Sequence, residues 1–450
     1  MTCCGRGTST VEPTRGTPPA PEARAVPGAR WFGREARCRR CWTGGLRCSS
    51  DLPDPRARPM ETKLEHRRTN NMKLKTYTRT LVALCVVSAA AAPRAEEQAT
   101  PLLTALPATT LSGYVDTSAV WLPGPGSTNA LPGRSFDGAD KQNGFNLNVV
   151  SLVLEKPLDE SDWAAGYRVQ LLFGPDANTL RSLSTLGTAS GDFAIKNAYV
   201  SLRAPVGRGL TLKMGVWDTI MGHEVFESGN NPNYSRSYGY FIEPIIHTGV
   251  LASYELMDGV TLSAGVADGG GSNSINARSG IDSVMSYVGS IALSAPESWG
   301  ALSGTTLYLG AMDSGRQGAK DMINWFAGLT VPLPWEGWSV GAAYDYRAHG
   351  LFDGSYENAT GLYVMWQASE KLKLSTRAEY ATGSAGAYGY AGSNPVQLFG
   401  LTGTLAYALW PNTLSRLELR WDHDLNSRGE FLNGLANNAV SLALNVIYQF

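Results

Sequence analysis

The segment NAVSLALNVIYQF, residues 438–450, decides how this chain folds. Val440, Leu442, Leu444, Val446, Tyr448 and Phe450 share one face at period 2, while Ser441, Ala443, Asn445 and Gln449 share the other, with Ile447 as the one apolar intruder. That alternation predicts a strand whose two faces meet different surroundings, one apolar and one polar. A sheet in water could show the pattern once, but here it recurs along the chain.

Residues 371–381 set Lys371, Lys373, Ser375, Arg377 and Glu379 against Leu372, Leu374, Thr376, Ala378 and Tyr380. Residues 413–424 set Arg416, Glu418, Arg420, Asp422 and Asp424 against Leu417, Leu419, Trp421 and His423, and residues 163–174 set Arg168 and Gln170 against Tyr167, Val169, Leu171 and Phe173. Sixteen such stretches are predicted between residues 109 and 450, among them 109–122, 210–219, 239–255 and 301–314, and helical periodicity is nearly absent. The connections alternate in length. Long ones follow the first, third and fifth strands, the last of these being residues 220–239. Tight turns such as PLDESD (157–162), PVGRG (205–209), PESWG (296–300) and PWEG (334–337) follow the even strands.

A soluble sandwich has no cause for that asymmetry. A transmembrane antiparallel β-barrel does, with short periplasmic turns, long extracellular loops and both termini in the periplasm. A charge on the lipid face at the membrane centre costs roughly 2–4 kcal/mol. Arg168, Lys213, Arg377, Glu379, Arg416, Glu418 and Arg420 are therefore assigned to the inner wall of a polar, water-filled lumen. Trp163, Trp299, Trp335, Trp338 and Trp410 all lie at short turns, where an interfacial aromatic girdle belongs.

The barrel accounts for residues 109–450, and the chain before it reads differently. Met72 opens MKLKTYTRT, LVALCVVSAAAA and PRAEEQ: a basic start, a short apolar run and small residues near an exit. That is a secretory signal peptide over 72–95, its apolar run well under the roughly 18 residues of a spanning helix. Cleavage falls between 91 and 95, leaving 96–108 as a short periplasmic segment. Residues 1–71 are rich in Arg and Pro without periodicity and read as an upstream start-site misassignment or a disordered extension. All six cysteines precede residue 96, so the mature chain is expected to hold no disulfide. Residues 1–95 carry 18 Lys and Arg against 7 Asp and Glu, leaving 20 basic and 32 acidic residues after them. Such a surplus argues against nucleic acid as a partner and favours cations.

Residues 220–239, IMGHEVFESGNNPNYSRSYG, form a connection longer than a hairpin needs, rich in acids and amides with one arginine. The terminal aromatic with alternating residues before it is similar to the closing strand of bacterial outer-membrane barrels. That likeness implies recognition of Val446, Tyr448 and Phe450 by barrel-assembly machinery. The order Gly222-His223-Glu224, Asn231-Pro232-Asn233-Tyr234-Ser235-Arg236-Ser237, Glu243-Pro244 and His247-Thr248-Gly249 resembles the beta-barrel porin-2 family over about residues 109–450. The resemblance implies a Gram-negative outer-membrane channel for passive diffusion of small hydrophilic solutes. It places the pore constriction on Glu224, Glu227, Asn231, Asn233 and Arg236, acids facing an arginine across a wet gap. The plainer reading is a loop whose polar side chains satisfy its own backbone.

No catalytic motif or metal-ligand spacing is present, and His247 and His423 are candidates for catalysis by position only. The expectation is therefore no enzyme, no cofactor and no metal, with outer-membrane lipid, assembly machinery and solute as partners and a homotrimer as an assembly compatible with sixteen strands. The alternative is a plugged structural or adhesive surface barrel whose loops bind a partner.

Overall fold

The computed structural model describes residues 108–450 apart from 124–130, 139–140, 142, 181–190, 270–272, 278–283, 317–318, 391–392, 428–430 and 432–435. The extension 1–71, the signal peptide 72–95 and nearly all of segment 96–108 lie outside the described residues. Sixteen strands follow in order. They are β1 (Thr110–Trp121), β2 (Gly144–Lys156), β3 (Ala164–Phe173), β4 (Phe193–Ala204), β5 (Leu210–Asp218), β6 (Ile246–Met257), β7 (Val260–Asp268) and β8 (Met285–Ser294). After them come β9 (Thr306–Ser314), β10 (Met322–Pro332), β11 (Trp338–Ala348), β12 (Tyr356–Gln367), β13 (Leu372–Gly383), β14 (Val396–Trp410), β15 (Thr413–Asp424) and β16 (Asn438–Gln449). Each pairs antiparallel with its sequence neighbours, and β1 pairs with β16, so the sheet is a closed barrel with no free edge.

Closure depends on the C-terminal segment. Register runs from Tyr114 opposite Gln449 to Trp121 opposite Leu442, and Gly113 and Phe450 exchange backbone hydrogen bonds of 2.9 and 3.0 Å. Gly113 is required there. A Cβ at this position would lie 2.2 Å from the Ser151 carbonyl oxygen and 2.8 Å from the Phe450 ring.

The barrel is inside out relative to a soluble protein. Leu417, Leu419, Leu442 and Leu444 are exposed on its outer surface, while Arg377, Arg416, Arg420, Glu379 and Glu418 are buried within. Such a continuous apolar exterior fits lipid. Trp163, Trp299, Trp335 and Trp410 are exposed at the short-turn end, while Trp338 stacks on Trp366 at 5.3 Å. A second belt, unnoticed in the sequence, holds Trp121, Phe145, Phe173, Phe193 and Trp421 near the long-loop ends of their strands.

Two boundaries differ from those predicted. Residues 239–245, assigned above to the sixth strand, instead form the short helix α1 (Tyr238–Ile242) and a turn, so the third long loop covers 219–245. The apolar run YGYFI imitates a strand, but the Ser237 hydroxyl accepts the Tyr240 N–H at 3.0 Å, a helix cap, and Pro244 has no N–H to give a ladder. Likewise 301–305 belongs to the tight connection that contains the turn Glu297–Leu302, and β9 begins at Thr306. Ile447, the intruder, points inward and lies against Gly229 of the third loop.

Gly113→Val overpacks the closing seam and is expected to cost about 1–3 kcal/mol. The temperature at which the folded band shifts on a gel should fall. Gly403→Ala, where the space is open, should leave it unchanged.

Candidate functional site

Loop 3 (residues 219–245) folds into the barrel. Its chain lacks regular secondary structure except for α1 and a brief turn at Ser228–Asn230, so most of its backbone polar groups need partners from elsewhere. The wall supplies them. Glu418 accepts the N–H groups of Tyr234 at 2.6 Å and Ser235 at 3.0 Å, and Glu379 accepts the first N–H of α1, from Tyr238, at 2.6 Å. Arginines take the carbonyls. Arg377 donates to Ser235 at 2.7 Å, Arg420 to Arg236 at 2.6 Å, and Arg416 to Ser228 at 2.7 Å and Asn233 at 3.2 Å.

Of these five wall charges on β13 and β15, Arg377, Glu379 and Arg420 also enter ion pairs. Arg377 holds Glu379 at 2.7 Å and Arg420 holds Asp422 at 2.8 Å. Arg377 and Arg420 have no exposed surface at all. They face inward, as the alternation predicts, but they meet the loop rather than bulk water.

The loop residues singled out from the sequence fall into two groups. Glu224 and Glu227 reach the wall. Glu224 contacts Arg377 at 2.8 Å and the Tyr363 hydroxyl at 3.2 Å, and accepts the Ser237 N–H at 2.8 Å. Burial opposes its charge, but Arg377 and that N–H more than offset it and hold the carboxyl below its usual range. Glu227 receives Gln170 and Lys196, each at 3.0 Å, and Lys196 also reaches Asp218 at 2.6 Å.

Asn231 and Arg236 instead brace their own loop. Asn231 bonds both the N–H and the carbonyl of Val225, and Arg236 donates to the carbonyls of Val225, Tyr234 and Phe226. Arg236 is buried and committed to those carbonyls, while Glu224 is committed to Arg377 and Glu227 to Lys196. Asn233 is intermediate, donating to Thr404 at 2.7 Å.

The opposite wall is less crowded. Arg168 keeps Glu155 at 2.5 Å with both side chains partly exposed, Lys213 lies 4.9 Å from the Tyr199 ring, and Asp218 has 48% of its side chain exposed. Met221 packs on the inner face of β9 at Gly310, where a Cβ would lie 2.5 Å from it, beside the apolar cluster of Trp217, Leu251, Met312 and Phe326.

Among the described residues, two cavities border loop 3. One of about 610 Å³ opens toward the long loops and is lined by Arg134, Phe136, Lys141, Asn178, Arg347 and Glu357. Another of about 490 Å³ lies between loop 3 and the β4–β9 side, lined by Lys196, Asp218, His223, Glu227, Ser290 and Tyr308. Tyr240, Glu243 and Ile245 line both.

Loop 1 (residues 122–143) contributes Phe136, whose ring packs on Phe226 at 5.3 Å and Tyr240 at 5.7 Å. Its φ of 67° is rare for a bulky residue and is held by that packing. Sequence reasoning gave no site role to Phe136, Tyr240, Glu243 or Ile245, although Glu243 stands in the motif that carries the family resemblance. Glu243 was hidden by its false assignment to a strand, and Phe136 carries no sequence signal. His247 and His423 have structural surroundings: His247 stacks on Trp217 at 4.8 Å, and His423 bonds Asn438 at 2.9 Å.

A closed sixteen-strand barrel with an apolar exterior and a long loop packed within its lumen is the architecture of a porin-like outer-membrane protein. This chain belongs to the beta-barrel porin-2, OmpL-like family, which it matches over residues 108–450. It is similar to the outer membrane channel DcaP of Acinetobacter baumannii at 12% identity and a TM-score of 0.50, over 76% of this chain and 97% of that one. OmpF of Salmonella typhi is similar at 13% identity and a TM-score of 0.49, over 76% and 97%. The anion-selective porin from Comamonas acidovorans stands at 13% and 0.48, over 76% and 99%. At such identities these likenesses concern the fold. No curated protein sequence matches the chain.

Arg377→Met alone leaves Glu224 buried without its cation and Glu379 with only Arg420 at 3.8 Å, and is expected to cost roughly 3–5 kcal/mol in denaturant unfolding. Adding Glu224→Gln should recover part of that loss, and the double-mutant cycle measures the coupling.

Proposed function

We propose that the chain forms an outer-membrane channel for passive diffusion of small hydrophilic solutes, narrowed by loop 3. The observation that carries this reading is the uneven filling of the lumen. The loop is pinned to β13–β15, while Arg168, Lys213 and Asp218 stay partly exposed across from it, and two cavities, one at the long-loop mouth and one beside β4–β9, share Tyr240, Glu243 and Ile245 in their walls. A solute would travel from the long-loop cavity past Tyr240, Glu243 and Ile245 to the cavity beside β4–β9. No covalent step and no cofactor enters that path.

On this reading Glu224, Asn231, Asn233 and Arg236 fix the position of the constricting loop. Glu227, Arg168 and Lys213 are the members of the assigned set that meet the solute. Arg377, Glu379, Arg416, Glu418 and Arg420 act through the loop they hold. The mature chain begins after the signal peptide, between residues 92 and 96, with both termini and the short turns in the periplasm. Val446, Tyr448 and Phe450 sit on the lipid side of the closing strand, where assembly machinery can read them.

One observation favours a second reading, a plugged barrel whose loops bind a partner. Contacts of loop 3 reach β1, β3, β4 and β10 as well as β11–β16, and an apolar cluster joins Tyr238 and Ile242 to Leu122, Tyr388, Tyr390 and Phe431 at the long-loop end.

Planar-bilayer recording of the refolded chain from residue 96 separates the two. Discrete conductance steps are expected. A folded, heat-modifiable barrel that stays silent would establish the plugged form.

A further inference from the structure

Glu243 follows α1 and is one of three residues that line both cavities, so it stands at the neck between them. Its carboxyl faces that of Asp345, which β11 points inward between Ala343 and Arg347, and the two side chains share a hydrogen bond. Two carboxyls can do so only with a proton between them. The pair is enclosed closely. The Glu243 carboxylate lies over Gly222, 2.4 Å from where a Cβ would stand, and Asp345 lies over Gly239 at 2.2 Å.

We propose that Glu243 and Asp345 set the ion selectivity of the neck, and that loss of their shared proton makes the channel more strongly selective for cations. The proposal rests on the channel reading above.

The surrounding charges are committed elsewhere. Within loop 3, Glu224 is held by Arg377 of β13, and the His223 ring lies tilted against Tyr363 of β12 at 4.4 Å while its backbone N–H donates to Glu243. From β10, Asn324 donates to the Ile242 carbonyl at 3.0 Å. Toward the long-loop cavity, Arg347 pairs with Glu357 of β12 at 2.5 Å, and Arg134 of loop 1 with Asp137 and Asp422. Toward the other, Lys196 of β4 serves Asp218 and Glu227.

Among the described residues no cation pairs with Glu243 or Asp345, and Asp345 Oδ1 is buried with no hydrogen-bond partner. A permeating cation would meet Glu243, which lines both cavities, with the Asp345 carboxyl buried behind it. An anion meets only repulsion there. Burial and the facing Asp345 carboxyl push Glu243 well above the ordinary carboxylate range, so Glu243 keeps its proton where other carboxylates have lost theirs. The charge of the neck then grows in two steps from zero, and the steps belong to the pair rather than to either residue.

The test is the reversal potential of the full mature chain in a potassium chloride gradient across pH 5 to 9, for wild type, Glu243→Gln and Asp345→Asn. A several-fold rise in cation over anion permeability with pH in the wild type, flattened in both variants at unchanged heat-modifiability, is the expected result. If one variant fails to fold, the other decides. A wild-type channel whose selectivity is flat with pH, or whose pH dependence survives both substitutions, overturns the assignment. A folded barrel with no conductance at any pH would instead remove the channel reading beneath it.

Discussion

The structure depends on one requirement: the backbone of a long irregular loop held at membrane depth must find hydrogen-bond partners without reaching bulk water. Loop 3 meets it by borrowing charged side chains from the wall. Glu379 and Glu418 take its N–H groups, and Arg377, Arg416 and Arg420 take its carbonyls. Each contact is charge-assisted and lies in a poorly solvated space, where such bonds are strongest and an unmade one is most costly. The wall charges are equally dependent on the loop. Without it, Arg377 and Arg420 would lose backbone partners that complete their coordination by Glu379 and Asp422. Loop and wall therefore stabilise one another, and neither arrangement can be altered alone.

This mutual dependence changes what a charged lumen means. The net acidity of the mature chain suggests cation attraction, yet many of the inward charges are neutralised in pairs, such as Glu224 by Arg377 and Asp422 by Arg420. On the proposed channel reading, what a solute meets is decided by the less crowded wall and by the residues between the two cavities. The apolar inner face formed by Trp217, Leu251, Met312 and Phe326 packs Met221 without offering charge, which confines polar contacts to a narrower strip of the lumen.

Much of the fold was legible because a strand between lipid and a polar lumen obeys a strict period of 2. Residues 413–424 could be assigned to one strand with each side chain given its face, and the structure agrees. The number of strands and the antiparallel order followed from turn spacing. Failures came where the period no longer reports surroundings. YGYFIEPII is apolar enough to read as a strand, but its environment is the loop-packed lumen, and the Ser237 cap with Pro244 overrides the pattern. The candidate site was legible only as a region. That Glu224 is polar says nothing about whether it faces water or Arg377, because that depends on contacts 153 residues apart in sequence. Asp345 was within reach, since its alternation with Tyr344 and Tyr346 directs it inward, but its partner lay in a segment given the wrong structure.

The division of the lumen into a loop-filled half and a water-accessible half can be read directly, because all six cysteines precede residue 96 and a chain refolded from residue 96 takes single thiols without background. The measurement is labelling of Ser290→Cys, on the less crowded wall, and Thr404→Cys, under loop 3, by a membrane-impermeant hydrophilic thiol reagent in the folded barrel. A lumen divided as described predicts that position 290 reacts readily and position 404 is protected until the protein unfolds. Equal reaction at both positions, or protection at 290, would contradict it.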